Sequence, residues 1–250
     1  MPECRVASVH DYPVKGAAGR AQSRLHIDPA VGVVGDRRRA FKQAASLPDQ
    51  WAPKSAFFVA MNTALMAAQV PVFAKGKDGN EELDRRWLAK VAKRLGVDSL
   101  SVLDTRGAFS LADRPRQYVS IVNLASVRAL GEFVGAAINP ARFRMNVWID
   151  GLEPFAEIDW VEGHPGTRDI QIGAMRLRVD EACVRCKAIE ASPQSGEYDL
   201  ELQKALEGLM KSRGYPGAPH NNSPRVMGVL ARPYSTGTIE PGDQVKPLWE

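Results

Sequence analysis

Two thiols separated by two residues, in Cys183-Val184-Arg185-Cys186, are where this sequence points most directly to chemistry. A C-x-x-C pair can act as a dithiol redox couple, as half of a zinc site, or as the source of one thiolate for a soft metal. Zinc needs two further ligands. The remaining cysteine is Cys4, and the four histidines, His10, His26, His164 and His220, are scattered without ligand spacing. The redox couple expects a strand-to-helix junction inside a strand-helix-strand unit, whereas Pro193-Gln194-Ser195-Gly196 interrupts the chain before the next helix. Two buried cysteines packing as small apolar side chains are a fourth alternative. Arg185 would lower the pKa of a neighbouring cysteine and favour the thiolate, the form that binds soft metals, and one of the two sulfurs suffices for that.

Isolated cations supply a second kind of chemistry. Lys15, Arg37 and the arginines of Arg142-Phe143-Arg144-Met145-Asn146 could neutralise a phosphate-bearing cofactor. A solvated surface is the commoner fate of a single Lys or Arg. Alternation weakens that explanation here: Phe143, Met145, Val147 and Ile149 fall on one face of a strand, and Arg142, Arg144 and Asn146 on the other.

The elements that must position these groups follow from periodicity. Arg5 to His10 and Leu25 to Val34 read as strands, and Asp11 to Gly16 as a turn into a loop. Residues Ser55 to Ala68 are helix-permissive and end before Pro71. Lys75 to Asn80 is the clearest loop, followed by a helix with Leu83, Trp87, Leu88, Val91 and Leu95 on one face. A second helix spans Ser126 to Ile138 with Ser126 as its cap, and Asn139-Pro140 stops it. Met175 to Val179 alternates with Arg176 and Arg178 in a strand leading to Cys183. A helix covers Asp199 to Lys211, and Gly237 to Val245 combines turn residues with a closing strand. Strands dominate the ends and the carboxy-terminal half without regular strand-helix alternation. That predicts a β-rich α+β fold, barrel-like with added helices, and argues against a doubly wound nucleotide fold.

Bulk properties set the bounds. The 250 residues, 44% hydrophobic and 25% charged, can bury a sizeable core and suit neither a disordered chain nor a membrane protein. The longest apolar stretch, Ala56 to Phe73, is broken by Asn62, Thr63, Gln69 and Pro71. The amino terminus lacks the pattern of a secretory signal. Three cysteines suit a reducing compartment, so a cytoplasmic location is expected. The net charge of +4 is spread along the chain, which predicts neither a nucleic-acid nor a membrane partner.

In this order along the chain, Tyr12-Pro13-Val14-Lys15-Gly16, Gly35-Asp36-Arg37-Arg38, Arg142 to Asn146, Glu153 to Glu157 with Trp160, Ile172-Gly173, Cys183 to Cys186, and Thr238-Ile239 with Gly242-Asp243 resemble the motifs of MOSC-domain proteins. That family is related to the carboxy-terminal domain of molybdenum-cofactor sulfurase and to the mitochondrial amidoxime-reducing component. Four features depart from its pattern. Gly16 stands for the usual Ser and Met145 for the usual Pro, and Ala52-Pro53-Lys54 takes the place of an R-x-x-P-x-L element. After Cys186 the usual T-V-D-P acidic residue is missing.

The resemblance implies a MOSC-type β-barrel (residues 111–250), an amino-terminal barrel or strand portion (residues 1–110) and peripheral helices. It implies a molybdenum cofactor (molybdopterin) with Cys186 as metal ligand and catalytic centre. Lys15 and Arg37 would hold the cofactor phosphate, and Arg144 and Asn146 would approach the pterin, with Cys183 structural. The implied activity is that of a molybdenum-dependent oxidoreductase reducing N-hydroxylated or N-oxygenated small molecules. No residue stands out as general acid. No ferredoxin-like cysteine cluster accompanies the motifs, so electrons are expected from a separate partner protein. The alternative is a carrier of the cofactor or of a persulfide sulfur on Cys186, and a third is an interaction protein retaining only the barrel.

Overall fold

Alternation of buried and exposed side chains becomes strand wherever turn residues punctuate it, and fifteen strands and four α-helices result among the described residues. The computed structural model describes residues 3–44, 54–76, 80–114, 116–162, 168–218 and 222–248. Ala52, Pro53, loop residues 77–79, His164 and His220 lie outside them. The chain runs through β1 (Arg5–Asp11), β2 (Arg20–Gln22), β3 (Leu25–Asp28), β4 (Gly32–Val33) and β5 (Arg39–Lys42). It continues with β6 (Phe73–Lys75), β7 (Glu81–Leu83), α1 (Arg85–Leu95) and β8 (Ser101–Asp104). The remainder comprises β9 (Val119–Asn123), α2 (Leu124–Val134), β10 (Val147–Asp150), α3 (Ala156–Glu162), β11 (Asp169–Ile172), β12 (Met175–Val184), α4 (Leu202–Ser212), β13 (Val226–Pro233), β14 (Gly237–Ile239) and β15 (Val245–Pro247).

Eight strands form one mixed sheet in the order β15-β11-β12-β13-β9-β10-β1-β2. Its neighbours pair antiparallel except β9 and β10, which run parallel and are joined by a crossover containing α2. This is a β-rich α+β architecture with a large mixed sheet and few helices. The two ends of the sheet approach each other. Arg5 bridges Gln244, the Val6 N–H donates to Asp243 O at 2.8 Å, and the Val245 N–H donates to Cys4 O at 2.8 Å. Small sheets β14-β3-β4, β5-β8 and β6-β7 flank it. The main core takes Val6 and Val9 from β1, Ile121 from β9, Ile149 from β10, Leu177 and Val179 from β12 and Val229 from β13, all at most 2% exposed.

Caps explain the helix limits. Asp84 accepts from the Trp87 N–H at 2.8 Å to open α1, and Gly96 closes it in the left-handed conformation. For α2 the cap is Asn123, which accepts from the Ala125 N–H at 3.1 Å. Ser126, expected as the cap, is instead fully buried inside α2 and donates to the Glu157 carboxylate at 2.8 and 2.9 Å. The helix-permissive run Ser55 to Ala68 forms two short 3-10 turns, and Leu25 to Val34 folds into the hairpin of β3 and β4.

The arginine-bearing strand is a correction. Asn139 caps a 3-10 turn at Pro140–Phe143, and Arg144 takes a left-handed conformation with φ 54°, so β10 starts only at Val147. Period two is therefore broken between Arg142 and Arg144. Arg142 turns away to pair with Asp199 at 2.6 Å.

Candidate functional site

Tyr12 is fully buried and serves as a platform between two arginines. The Arg144 guanidinium lies 4.7 Å from the ring centroid and that of Arg37 5.2 Å. The Tyr12 hydroxyl donates to Met145 O at 3.3 Å, and its N–H donates to Asp36 at 2.7 Å. Arg37, itself left-handed with φ 48°, pairs with Asp36 and donates to Arg144 O at 3.1 Å. Burial pushes the Tyr12 phenol up to about 12 although both arginines oppose it.

Arg144 donates Nη1 to Ala17 O, while its buried Nη2 has no hydrogen-bond partner among the described residues. Burial, reinforced by the Arg37 charge, brings the Arg144 guanidinium down to about 10. A buried cationic donor without an acceptor is costly, a condition shared by the Nε atoms of Arg142, Arg185 and Arg225, and a ligand oxygen would relieve it.

Lys15, 5% exposed, donates to Leu111 O at 2.6 Å and to Asp113 at 2.6 Å. Burial lowers its pKa against the pull of Asp113. Burial alone would raise Asp113, but Lys15 and Lys54 hold its carboxyl at about 2. Asp113 thus occupies the ammonium that an anionic ligand would use. Asn146 is fully buried; its Oδ1 accepts from the Ser120 hydroxyl at 2.6 Å and its Nδ2 donates to His10 O at 3.2 Å. By count, one amide hydrogen is left for a ligand.

The thiols end β12. A bulge opposite β13 between Val179 and Glu181 shifts the alternation, leaving Ala182 in the core and Cys183 half-buried. Of the two thiols, Arg185 meets Cys183: Nη1 reaches Cys183 Sγ at 2.8 Å and Met145 Sδ at 3.4 Å, and Nη2 bonds Phe143 O. Its guanidinium thus ties Cys183 to the turn that carries Arg144. Cys186 is half-buried and precedes a 3-10 turn at Lys187–Glu190.

Cys186, Cys183, Lys15, Arg37, Arg144 and Asn146 all line one cavity of about 370 Å³. Its wall carries six cationic side chains, adding Lys54, Arg114 and Arg185, against the carboxylates Asp36 and Asp113. That excess, with the orphaned Arg144 donor, fits an anionic, phosphate-bearing group. Among the described residues no cluster of three or more His, Cys, Asp or Glu could hold a metal ion. Among the described residues a metal at Cys186 would therefore find at most one further ligand of these types, and the rest would come from a cofactor. Sequence reasoning missed Asp113, Lys54 and Ser120, which face the motifs from distant segments without local signal.

Known proteins resemble this chain as follows. A family model described as MOSC domain matches residues 107–246. Molybdenum cofactor sulfurase of Caenorhabditis elegans is 28% identical over 123 residues, 48% of this chain and 16% of that protein. Mitochondrial amidoxime-reducing component 1 of Xenopus laevis is 29% identical over 128 residues, 51% of this chain and 35% of that protein. The matches thus span well under half the length of either curated relative. The crystal structure of the YUAD protein from Bacillus subtilis, 13% identical, aligns with a TM-score of 0.45 over 98% of this chain and 97% of that one. The family match covers more than half of the chain, including the thiol pair and the Arg144 turn, and the chain belongs to the MOSC domain family.

Proposed function

We propose that the protein holds a molybdenum cofactor with the Cys186 thiolate as metal ligand. In this reading it reduces N-hydroxylated or related N-oxygenated small molecules with electrons from a separate protein. The observation that carries this is the convergence of Cys186, Lys15, Arg37 and Arg144 on one cavity, with a buried Arg144 donor lacking an acceptor. We read the eight-stranded sheet, whose ends approach at Arg5 and Gln244, as the family's barrel.

When bound, the cofactor supplies two-electron chemistry at molybdenum. The net conversion takes one N–OH, two electrons and two protons to one N–H and one water. Cys186 contributes a soft sulfur ligand at the cavity wall. Lys15 and Arg37 would hold the phosphate, with Lys15 released from Asp113, and the unpartnered donor of Arg144, expected at the pterin, would join them. Tyr12 keeps both guanidinium planes oriented, and Asn146, held by the Ser120 hydroxyl and His10 O at the cavity wall, would stand beside the pterin. Turnover of an N-hydroxylated base with an artificial reductant tests the activity. Amine formation that ceases in Cys186→Ala is expected, and no turnover by cofactor-loaded protein contradicts the reading.

The sulfurase name of one relative favours a second reading, in which Cys186 carries a persulfide or delivers the cofactor. Cyanide-releasable sulfur on Cys186 without bound molybdenum would select it.

A further inference from the structure

A second charged hollow, of about 460 Å³, lies beside the cavity and is lined by Arg116, Arg168, Arg178, Arg232, Asp180 and Tyr234. One carboxylate stands among four guanidinium groups. Arg232 takes both oxygens of Asp180, at 2.9 and 3.0 Å. Arg116 and Arg178 are left at 3.8 and 3.9 Å, beyond hydrogen-bond reach. Asp180 is nearly buried, its side chain 13% exposed, whereas those of Arg116 and Arg178 are 64% and 44% exposed and reach the opening. An acceptor with several oxygens would satisfy those forks, and a phosphoryl group matches their geometry.

The hollow adjoins the cavity along two segments. Leu230 lines the cavity and Arg232 the hollow, two residues apart on one face of β13 and therefore about 7 Å apart along the strand. Arg116 lines the hollow while the adjacent Gln117 and Tyr118 line the cavity. The two spaces thus adjoin along these segments.

We propose that this hollow is an anion subsite that takes the phosphoryl group of a phosphorylated small molecule whose reacting end enters the cavity at Cys186. The reacting half of that statement rests on the oxidoreductase reading; the anion site does not.

Isothermal titration of the purified protein with inorganic pyrophosphate tests the anion site. Saturable binding is expected. It should weaken about tenfold or more when Arg116→Ala and Arg178→Ala are combined, since hydrogen bonds to charged groups are lost. The component lost in the arginine variants should persist in Lys15→Ala, which alters only the deeper cavity. Single Arg116→Gln and Arg178→Gln variants, both at exposed side chains, replace the double variant should it fail to fold. No saturable binding, or superimposable curves for parent and folded variants, overturns the proposal.

The substrate half is read from kcat/KM for an N-hydroxylated compound with and without a phosphate ester. A preference for the ester that falls toward one in the arginine variants is expected. An unchanged ratio overturns the substrate half and leaves a site for free pyrophosphate. Pyrophosphate binding without turnover of either compound counts against the oxidoreductase reading alone.

Discussion

Gly16 shows why one departure from the family pattern is required here. Its φ is 84°, and a Cβ at this position would stand 2.6 Å from Val59 Cα and 2.8 Å from Phe58 O. The backbone of the Lys15 loop is pressed against that of Phe58 and Val59, and a serine hydroxyl has no room. Gly16→Ser should therefore destabilise the protein by about 1–3 kcal/mol, read as a lowered midpoint in urea; an unchanged midpoint would contradict the close approach. Arg144 makes the complementary case, a side chain with one donor met by Ala17 O and another left without an acceptor. Added phosphate should raise the thermal midpoint of the parent by binding the folded state. In Arg144→Met, which keeps length and removes charge, the phosphate shift should shrink; an equal shift would place the anion elsewhere. The motif residues themselves were legible in the sequence, because Tyr12, Lys15, Arg37 and Cys186 sit in short recognisable strings. Asp113 was not: it meets Lys15 across 98 positions, and nothing local marks a carboxylate for that contact.

Among the elements, those built on simple periodicity were readable and those built on a turn were not. The apolar face of α1 with Trp87 and Val91, and the alternation of β12, needed no tertiary information. Around Arg144 the apolar residues Phe143 and Met145 imitate a strand, but the Asn139-Pro140 start of a 3-10 turn and the left-handed Arg144 win. The start of α2 was misplaced for a similar reason. β9 runs directly into Asn123, and Ser126 is claimed by Glu157 from α3.

That contact carries a pH prediction. Burial, opposed by hydrogen bonds from Ser126 and Asn123, raises the Glu157 carboxyl to about 7 from an ordinary 4.5. Between those values the folded protein keeps a proton that the unfolded chain releases. The contribution is thus full below about pH 4.5 and is lost as pH rises through about 7, on the order of 3 kcal/mol. Glu157→Gln, which keeps an acceptor for Ser126, should flatten the fall of the thermal midpoint between pH 5 and 8; a slope identical to the parent's would contradict the assignment.

At the scale of the molecule, the sheet brings groups from opposite parts of the sequence to one cavity. The segment after β1 delivers Tyr12 and Lys15, β12 and the residues after it deliver the thiols, and the turn before β10 delivers Arg144. The β-rich class was legible from the strands at the ends and in the carboxy-terminal half. The approach of the sheet's ends at Arg5 and Gln244 was not, because a bridge across 239 positions leaves no local pattern. Among the described residues no helix is long and apolar enough to cross a membrane. The assembled cavity matters only if its sulfur and its cations serve the same ligand. Molybdenum content, measured on protein purified from cells that make the cofactor, decides this. Near-stoichiometric metal in the parent and its loss in a folded Cys186→Ala variant are predicted; a parent without molybdenum, or a variant that keeps it, would contradict the account.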